Sequence, residues 1–343
     1  MSMVEVAKIV GVSHVTVSRV INNQPGVSQA TITKVRQAMR DIGYIPAPKS
    51  RRRGRRSTHK NATKFKIAVV MMDHELIHHS WLLEKLCAGV SAAAFEHGVA
   101  TPICRLLKDT STPEVLTSGE LDGVLLVGGQ VKSQIDQIKE IVDVPTIWVT
   151  SHSEGAADAV LPGNESIGTM ACEYLHQQGH RKFAFISAGK DNPSYVMRGM
   201  SFTASAERLG INVDQYTTHI GDVDIAKNRL PVYESKIDRL VDDFIAQSSE
   251  ATGIFCPSDL MTALLYRGFA KRGIPIGKKL KVVSCDNELP YTTGLYPRPA
   301  TIDIGVEDRG RLAVEQLLWH VRNPDSKRRV QLTVQPTLVL PSP

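Results

Sequence analysis

Ala7-Lys8-Ile9-Val10-Gly11-Val12-Ser13-His14-Val15-Thr16-Val17-Ser18-Arg19-Val20-Ile21-Asn22 reads as two short helices joined by a glycine-led turn. Val6, Ile9 and Val10 lie at helical spacing before the turn, and Val17, Val20 and Ile21 after it. Gly11 permits a tight turn, and Ser13 is suited to cap the second helix. A third stripe, Ile32, Val35, Met39 and Ile42, follows a turn-rich loop and a second serine, Ser28. It stops near Gly43, and Tyr44-Ile45-Pro46 leaves it extended. Three short helices in this arrangement follow the helix-turn-helix plan.

In that plan the second helix enters the major groove with its N-terminal residues against base edges. Turning Val17, Val20 and Ile21 inward presents His14, Val15, Thr16, Ser18 and Arg19 outward. Arg19 can grip guanine O6 and N7 together, and Val15 can touch a thymine methyl. Thr16, Ser18, Ser28 and Thr31 suit phosphate contacts. Charge points the same way. Residues 1–66 hold 14 Lys/Arg against two acids, net +12, in a chain of net +6, so the remaining 277 of the 343 residues carry −6. A basic head on an acidic body is the footprint of a polyanion-binding module joined to something else.

The stretch 7–22, with Val27-Ser28, Thr31, Val35, Ala38-Met39 and Gly43-Tyr44-Ile45-Pro46, closely resembles the head of the lactose-repressor (LacI/GalR) family. The resemblance continues more loosely to the C-terminus. It implies a homodimer on a pseudo-palindromic double-stranded operator, with His14, Val15 and Arg19 as the main base readers. Ser13 and Asn22 belong to the same DNA-contacting motif, and Tyr44 would pack and touch the backbone. After Pro46 the family usually has a hinge helix whose leucine wedges into the minor groove. No leucine occurs between Ala47 and Lys64, and Pro48 and Gly54 disfavour a helix. Lys49 to Lys66 holds nine Lys/Arg and no acid. One reading is a disordered basic linker. The other lays Arg53-Gly54-Arg55 in a narrow A·T-rich minor groove, where arginine is attracted by enhanced negative potential.

From Phe65 the pattern changes to uninterrupted apolar strands alternating with helices, the mark of buried parallel sheets. Strands are expected at 65–71, 99–105, 121–127, 146–149, 183–186, 216–220, 253–255 and 281–284. Helices are expected at 81–97, 133–142, 167–178, 195–209, 233–246, 259–272 and 306–321. The expected architecture has three parts: an N-terminal all-α helix-turn-helix head (1–46), an Arg-rich linker (47–64) and a body (65–343). The body is α/β and periplasmic-binding-protein-like, with two doubly wound parallel-sheet subdomains and a cleft between them.

The body carries no phosphate-binding or nucleophile-elbow motif and no zinc-protease helix, so no catalytic residue or cofactor is expected. His74 and His78 are four apart but lack accompanying ligands, so no metal is expected. The five cysteines read as reduced core thiols. No apolar run is long enough for a membrane span, and the start Met1-Ser2-Met3-Val4-Glu5 lacks a signal-peptide pattern, which places the chain in the bacterial cytoplasm at the nucleoid.

The resemblance also implies a sugar-like effector in the cleft. Arg198 matches the family's sugar-binding arginine, and Asp286, directly after 281–285, matches its hydroxyl-binding aspartate. Both make charge-assisted hydrogen bonds. Weaker candidates are Trp148, Thr150, His79, Ser80, Trp81 and Asn287. Core packing for Trp148 and a surface place for His79 are the competing readings. Thr150 replaces a common aspartate, and Ser258 a common asparagine. The dimer interface implied by the family comes from 81–95 and 264–269. Two other classes fit less well: a sugar-binding or sugar-modifying protein with an incidental basic head, and an architectural DNA binder without sequence preference. The first lacks a signal peptide or paired carboxylates, and the second would show a steep salt slope with little discrimination.

Overall fold

The computed structural model describes residues 3–21, 26–44, 65–72, 80–106, 112–128, 138, 140–149, 158–219, 230–247, 249–277 and 279–341. They belong to two compact units, Met1–His59 and Lys60–Pro343.

The first unit contains α1 (Met3–Val10), α2 (His14–Ile21) and α3 (Gln29–Asp41). Val6, Ala7, Val17, Val20, Val35 and Ala38 form its core, with Tyr44 packed against it. Gly11 adopts φ +70°, the left-handed conformation that ends α1 at low cost. The amide of Thr16 donates to Ser13 Oγ at 3.1 Å, and that of Thr31 to Ser28 Oγ at 3.3 Å. Each serine satisfies an otherwise orphaned amide of the first turn. Ile9, expected inside, is 59% exposed. Val6 and Val10, one turn apart, take the inward stripe with Ala7, and Ile9 lies off it.

The second unit contains two sheets. One is ordered β12-β6-β5-β4-β1-β2, with β3 also paired to β1. It is built from β1 (Phe65–Met72), β2 (Val99–Ala100), β3 (Ile103–Leu106), β4 (Gly123–Val127), β5 (Thr146–Val149), β6 (Ala159–Pro162) and β12 (Gln331–Val334). The other is ordered β13-β11-β10-β9-β7-β8. Its strands are β7 (Phe183–Ser187), β8 (Val213–Thr217), β9 (Gly253–Phe255), β10 (Lys281–Cys285), β11 (Ala300–Asp303) and β13 (Thr337–Val339). Every pairing is parallel except β11 with β13. The helices are α4 (Ser80–His97), α5 (Glu114–Thr117), α6 (Asn164–Gln177), α7 (Pro193–Arg208), α8 (Leu230–Ala246), α9 (Asp259–Lys271), α10 (Leu289–Thr292) and α11 (Val306–Arg322).

The chain passes between the sheets after β6, after β11 and after β12. Three crossings make a hinge and not a single tether. The expected strand at 99–105 is split into β2 and β3, because Pro102 interrupts the ladder. The strand expected at 216–220 begins at Val213. β6 was not anticipated, since Ala-Val-Leu-Pro is too short to stand out. Most of the helix expected at 133–142 lies outside the described residues.

Close helix approaches rest on glycine. A Cβ on Gly168 of α6 would collide with Ser201 Oγ, Arg198 O and Phe202 N of α7. A Cβ on Gly89 of α4 would collide with Glu307 O of α11. Phe202 anchors α7 to the second sheet through Phe183 and Phe255, with centroids 5.6 and 5.2 Å away. Burial of one such ring stabilises by about 1.5–3 kcal/mol. Gly168→Ala is therefore expected to push α7 outward and destabilise the body by about 1–3 kcal/mol, as overpacking does. Denaturant unfolding would read this as a lower midpoint. An unchanged midpoint would show that the α6–α7 contact yields freely.

Candidate functional site

On α2, Val17 and Val20 are buried, while His14, Val15 and Arg19 face solvent and Thr16 and Ser18 are half-buried. Val15 is 50% exposed, an unusual placement for valine on a small domain whose other α2 valines are buried. The hydroxyls of Ser13 and Thr16 lie 3.0 Å apart, and those of Ser28 and Thr31 2.9 Å apart. Each pair presents two oxygens at a helix N-terminus, where anions are favoured. Tyr44 is half-buried, and its amide donates to Met39 O at 2.8 Å. Asn22, Arg53 and Arg55 lie outside the described residues.

In the body, Arg198 and Asp286 meet. Asn192 caps α7, accepting from the amides of Ser194 (2.9 Å) and Tyr195 (3.4 Å), with Pro193 in the first turn. This start sets Arg198 in the second turn, beside the ends of β9 and β10. Asp286 follows β10 directly, held by its amide on Ile302 O at 2.8 Å. Asp286 and Asn287 both have positive φ, 103° and 52°. Two successive non-glycine residues in that region store backbone strain of the kind found at functional sites.

Arg198 Nη1 donates to Asp286 Oδ1 at 3.0 Å and to Pro257 O at 2.6 Å, and Nε donates to Asn164 Oδ1 at 3.0 Å. Nη2 takes no hydrogen bond among the described residues. Arg198 and Asp286 are each 3% exposed. Burial opposes the Arg198 charge, but the Asp286 carboxylate, which is hydrogen-bonded to it, outweighs burial and holds the guanidinium protonated. The Tyr195 ring lies 5.8 Å below the guanidinium carbon. A second buried arginine, Arg309 of α11, is drawn down to about 10 by burial and then by the Arg198 charge.

Behind Asp286 lies Asp259, fully buried at the start of α9. It accepts from Ser284 Oγ, from Thr301 Oγ1 at 2.9 Å and from the Glu288 amide at 2.6 Å. These donors favour its charge, but burial and the Asp286 charge prevail and push its pKa up to about 8. The folded chain therefore keeps a proton that the unfolded chain releases near the ordinary value of 3.8. Stability should fall as pH rises from that value to about 8. Melting temperatures from about pH 6 to about pH 9 should decline less in Asp259→Asn than in the parent chain. Parallel curves would refute this.

Among the other sequence candidates, Trp148 is 5% exposed and packs with Ala68, Leu126 and Ala159 on the far side of the first sheet. This is core packing, and we do not assign it to the cleft. Trp81 is half-buried in the first turn of α4, and its buried Nε1 has no hydrogen-bond partner. Asn287 is half-buried, with Nδ2 donating to Asp303 Oδ2 at 2.7 Å. His79 and Thr150 lie outside the described residues, as does the Ser80 side chain. Sequence reasoning missed Asn164, Asp259 and Asp303. The signal for Asn164 was its place after Pro162-Gly163, at the first crossing between sheets.

Among the described residues the site offers a buried ion pair with an amide beside it. A helix-turn-helix head joined to such a two-sheet body is the plan of a DNA-binding transcription regulator. Residues 2–47 match the "Bacterial regulatory proteins, lacI family" description, and residues 172–340 match "Periplasmic binding protein-like domain". The head is thus similar to the DNA-binding domain of lacI-family regulators, and residues 172–340 to a periplasmic-binding-protein-like domain. It is 23% identical to the ribose operon repressor of Escherichia coli (strain K12) over 339 residues, covering 97% of each chain. Its fold matches a transcriptional regulator CelR–cellobiose complex (TM-score 0.65, 22% identity, 99% and 98% of the two chains). It also matches the lac repressor dimer bound to operator and the anti-inducer ONPF (TM-score 0.64, 19% identity, 99% and 98%). Among the described residues no helix is long and apolar enough to cross a membrane.

Proposed function

We propose that the chain is a homodimeric repressor of a carbohydrate-utilisation operon, released from or held on its operator by a sugar in the cleft. The observation that carries this reading is the buried Arg198–Asp286 pair at the strand ends, beside a hinge of three crossings. Ligands bind at strand C-terminal ends in such sheets. Arg198 Nη2 and the Asp286 carboxylate would take sugar hydroxyls, with Asn164 holding the guanidinium in place. Trp81 Nε1 and Asn287 Oδ1, both buried and unsatisfied, would gain partners from the same ligand. His79, Ser80 and Thr150 stay candidates for the opposite wall.

In the head, His14, Val15 and Arg19 would read bases. Ser13, Thr16, Ser18, Asn22, Ser28, Thr31 and Tyr44 would hold the backbone. Arg53 and Arg55 would enter the minor groove at an A·T-rich operator centre. The boundaries follow: head 1–46, linker 47–64, body 65–343. Phe95, 89% exposed on α4, supports that helix as a dimer face. Leu264, Leu265 and Phe269 are buried in the protomer's own core, so the segment 264–269 would contribute by other side chains. The regulator would act in the cytoplasm, on nucleoid DNA. The sugar changes operator affinity only by its differential affinity for two subdomain arrangements.

Titrating fluorescent operator with the purified chain, with and without ribose, cellobiose and other sugars, tests this reading. At least one sugar should shift operator affinity by about 5–150-fold, the usual range of allosteric coupling. No shift across a broad sugar panel would refute sugar control.

A further inference from the structure

The loop that carries Asp286 is tied to α4, across the hinge, by one acid. Asp303 ends β11, just before the chain crosses back into α11. Its Oδ2 accepts from Asn287 Nδ2 at 2.7 Å and from Lys85 Nζ at 3.4 Å, and its Oδ1 accepts from the Gly305 amide at 2.8 Å. Lys85 Nζ also reaches Asn287 O at 3.4 Å. Lys85 stands in the second turn of α4, which packs on α11 and the first sheet, whereas Asn287 and Asp303 belong to the second. Two segments of the second sheet and a helix packed on the first, which must shift past them when the hinge bends, therefore share one carboxylate.

We infer that Lys85 and Asp303 form a latch that positions the Asp286-Asn287 loop and passes its displacement to α4. This rests on the reading that Asp286 meets the effector. Asn287 sits at φ 52°, and its amide donates to Thr301 Oγ1 at 3.2 Å. A ligand that pulls on Asp286 thus moves the next residue, and with it both groups held by Asp303. Lys85 and Asp303 side chains are each 23% exposed. An ion pair at that exposure adds little net stability, so its value lies in geometry. The physical warrant is a bonded chain of groups between two subdomains that a hinge motion must break or carry along.

The test uses the full chain as Lys85→Met, Asp303→Asn and the conservative Lys85→Arg. The first readout, with no sugar present, is backbone hydrogen exchange in the peptides covering 80–88 and 284–292. Lys85→Met and Asp303→Asn are each expected to speed exchange about 10-fold in both peptides while distant core peptides stay unchanged. Lys85→Arg is expected to restore parent behaviour. The second readout is the ratio of operator Kd with and without ribose or cellobiose. It should fall towards one in Lys85→Met and persist in Lys85→Arg. Exchange that changes in neither peptide, or in only one, overturns the latch. If the parent chain shows no sugar response at all, the sugar reading fails, and the exchange result still decides whether the latch exists.

Discussion

Arg198→Met is expected to abolish the effector response and to lower effector affinity by about 100-fold or more. The substitution keeps the apolar stem but strands Asp286, which is 3% exposed and whose carboxylate the structure pairs with Arg198. Removing one partner of a buried ion pair typically costs about 3–5 kcal/mol, because the other charge is left without compensation. Part of that cost falls on folding and part on binding, and the two can be separated. Thermal unfolding without sugar reads the first. Calorimetry with the sugar that moves operator affinity reads the second. The double variant Arg198→Met/Asp286→Asn should recover much of the folding loss, because no unpaired charge remains, yet should still fail to bind. Affinity within a few-fold of the parent in the double variant would show that the pair is structural and that the effector sits elsewhere.

Arg19→Ala is expected to weaken operator binding by about 10- to 100-fold, corresponding to about 1–3 kcal/mol for a bidentate contact to guanine. The loss should be confined to operators that keep the guanine Arg19 reads. At that position the variant should tolerate other bases. Stability of the head should barely change, since Arg19 is exposed and the core is formed by Val6, Val17, Val20 and Val35. Binding measured across single-base operator variants checks this. A uniform loss on every sequence would make Arg19 a phosphate contact, and Val15 and His14 would then carry the readout.

The head was legible because its signals are local. Glycine and serine mark turn and cap at Gly11, Ser13 and Ser28, and the inward valines follow from helical spacing. Ile9 was misread because a stripe three residues wide at the end of an eight-residue helix does not specify which member turns in. In the body the central strands were legible as continuous apolar runs. β6 was not, since four residues ending in proline resemble a loop. Arg198 and Asp286 came from resemblance, and the structure brings them together from positions 88 residues apart. The supporting residues could not be read in advance. Asn164 and Asp259 are ordinary helix-start residues in sequence, and only the crossing between sheets and the convergence of β10 and β11 give them partners. Lys85 and Asp303 are 218 residues apart, with nothing local to mark them as a pair.

The most direct test of the central claim is selection of bound fragments from the source genome by the purified chain at near-physiological salt, followed by sequencing. A sequence-specific regulator should enrich a pseudo-palindrome with two half-sites one or more helical turns apart, near carbohydrate genes and with A·T pairs at its centre. The Arg19→Ala chain, run in parallel, should lose that motif. A flat or merely A·T-biased profile from the parent chain would contradict the claim. Binding would then be governed by the basic segment between Lys49 and Lys66, without readout by α2.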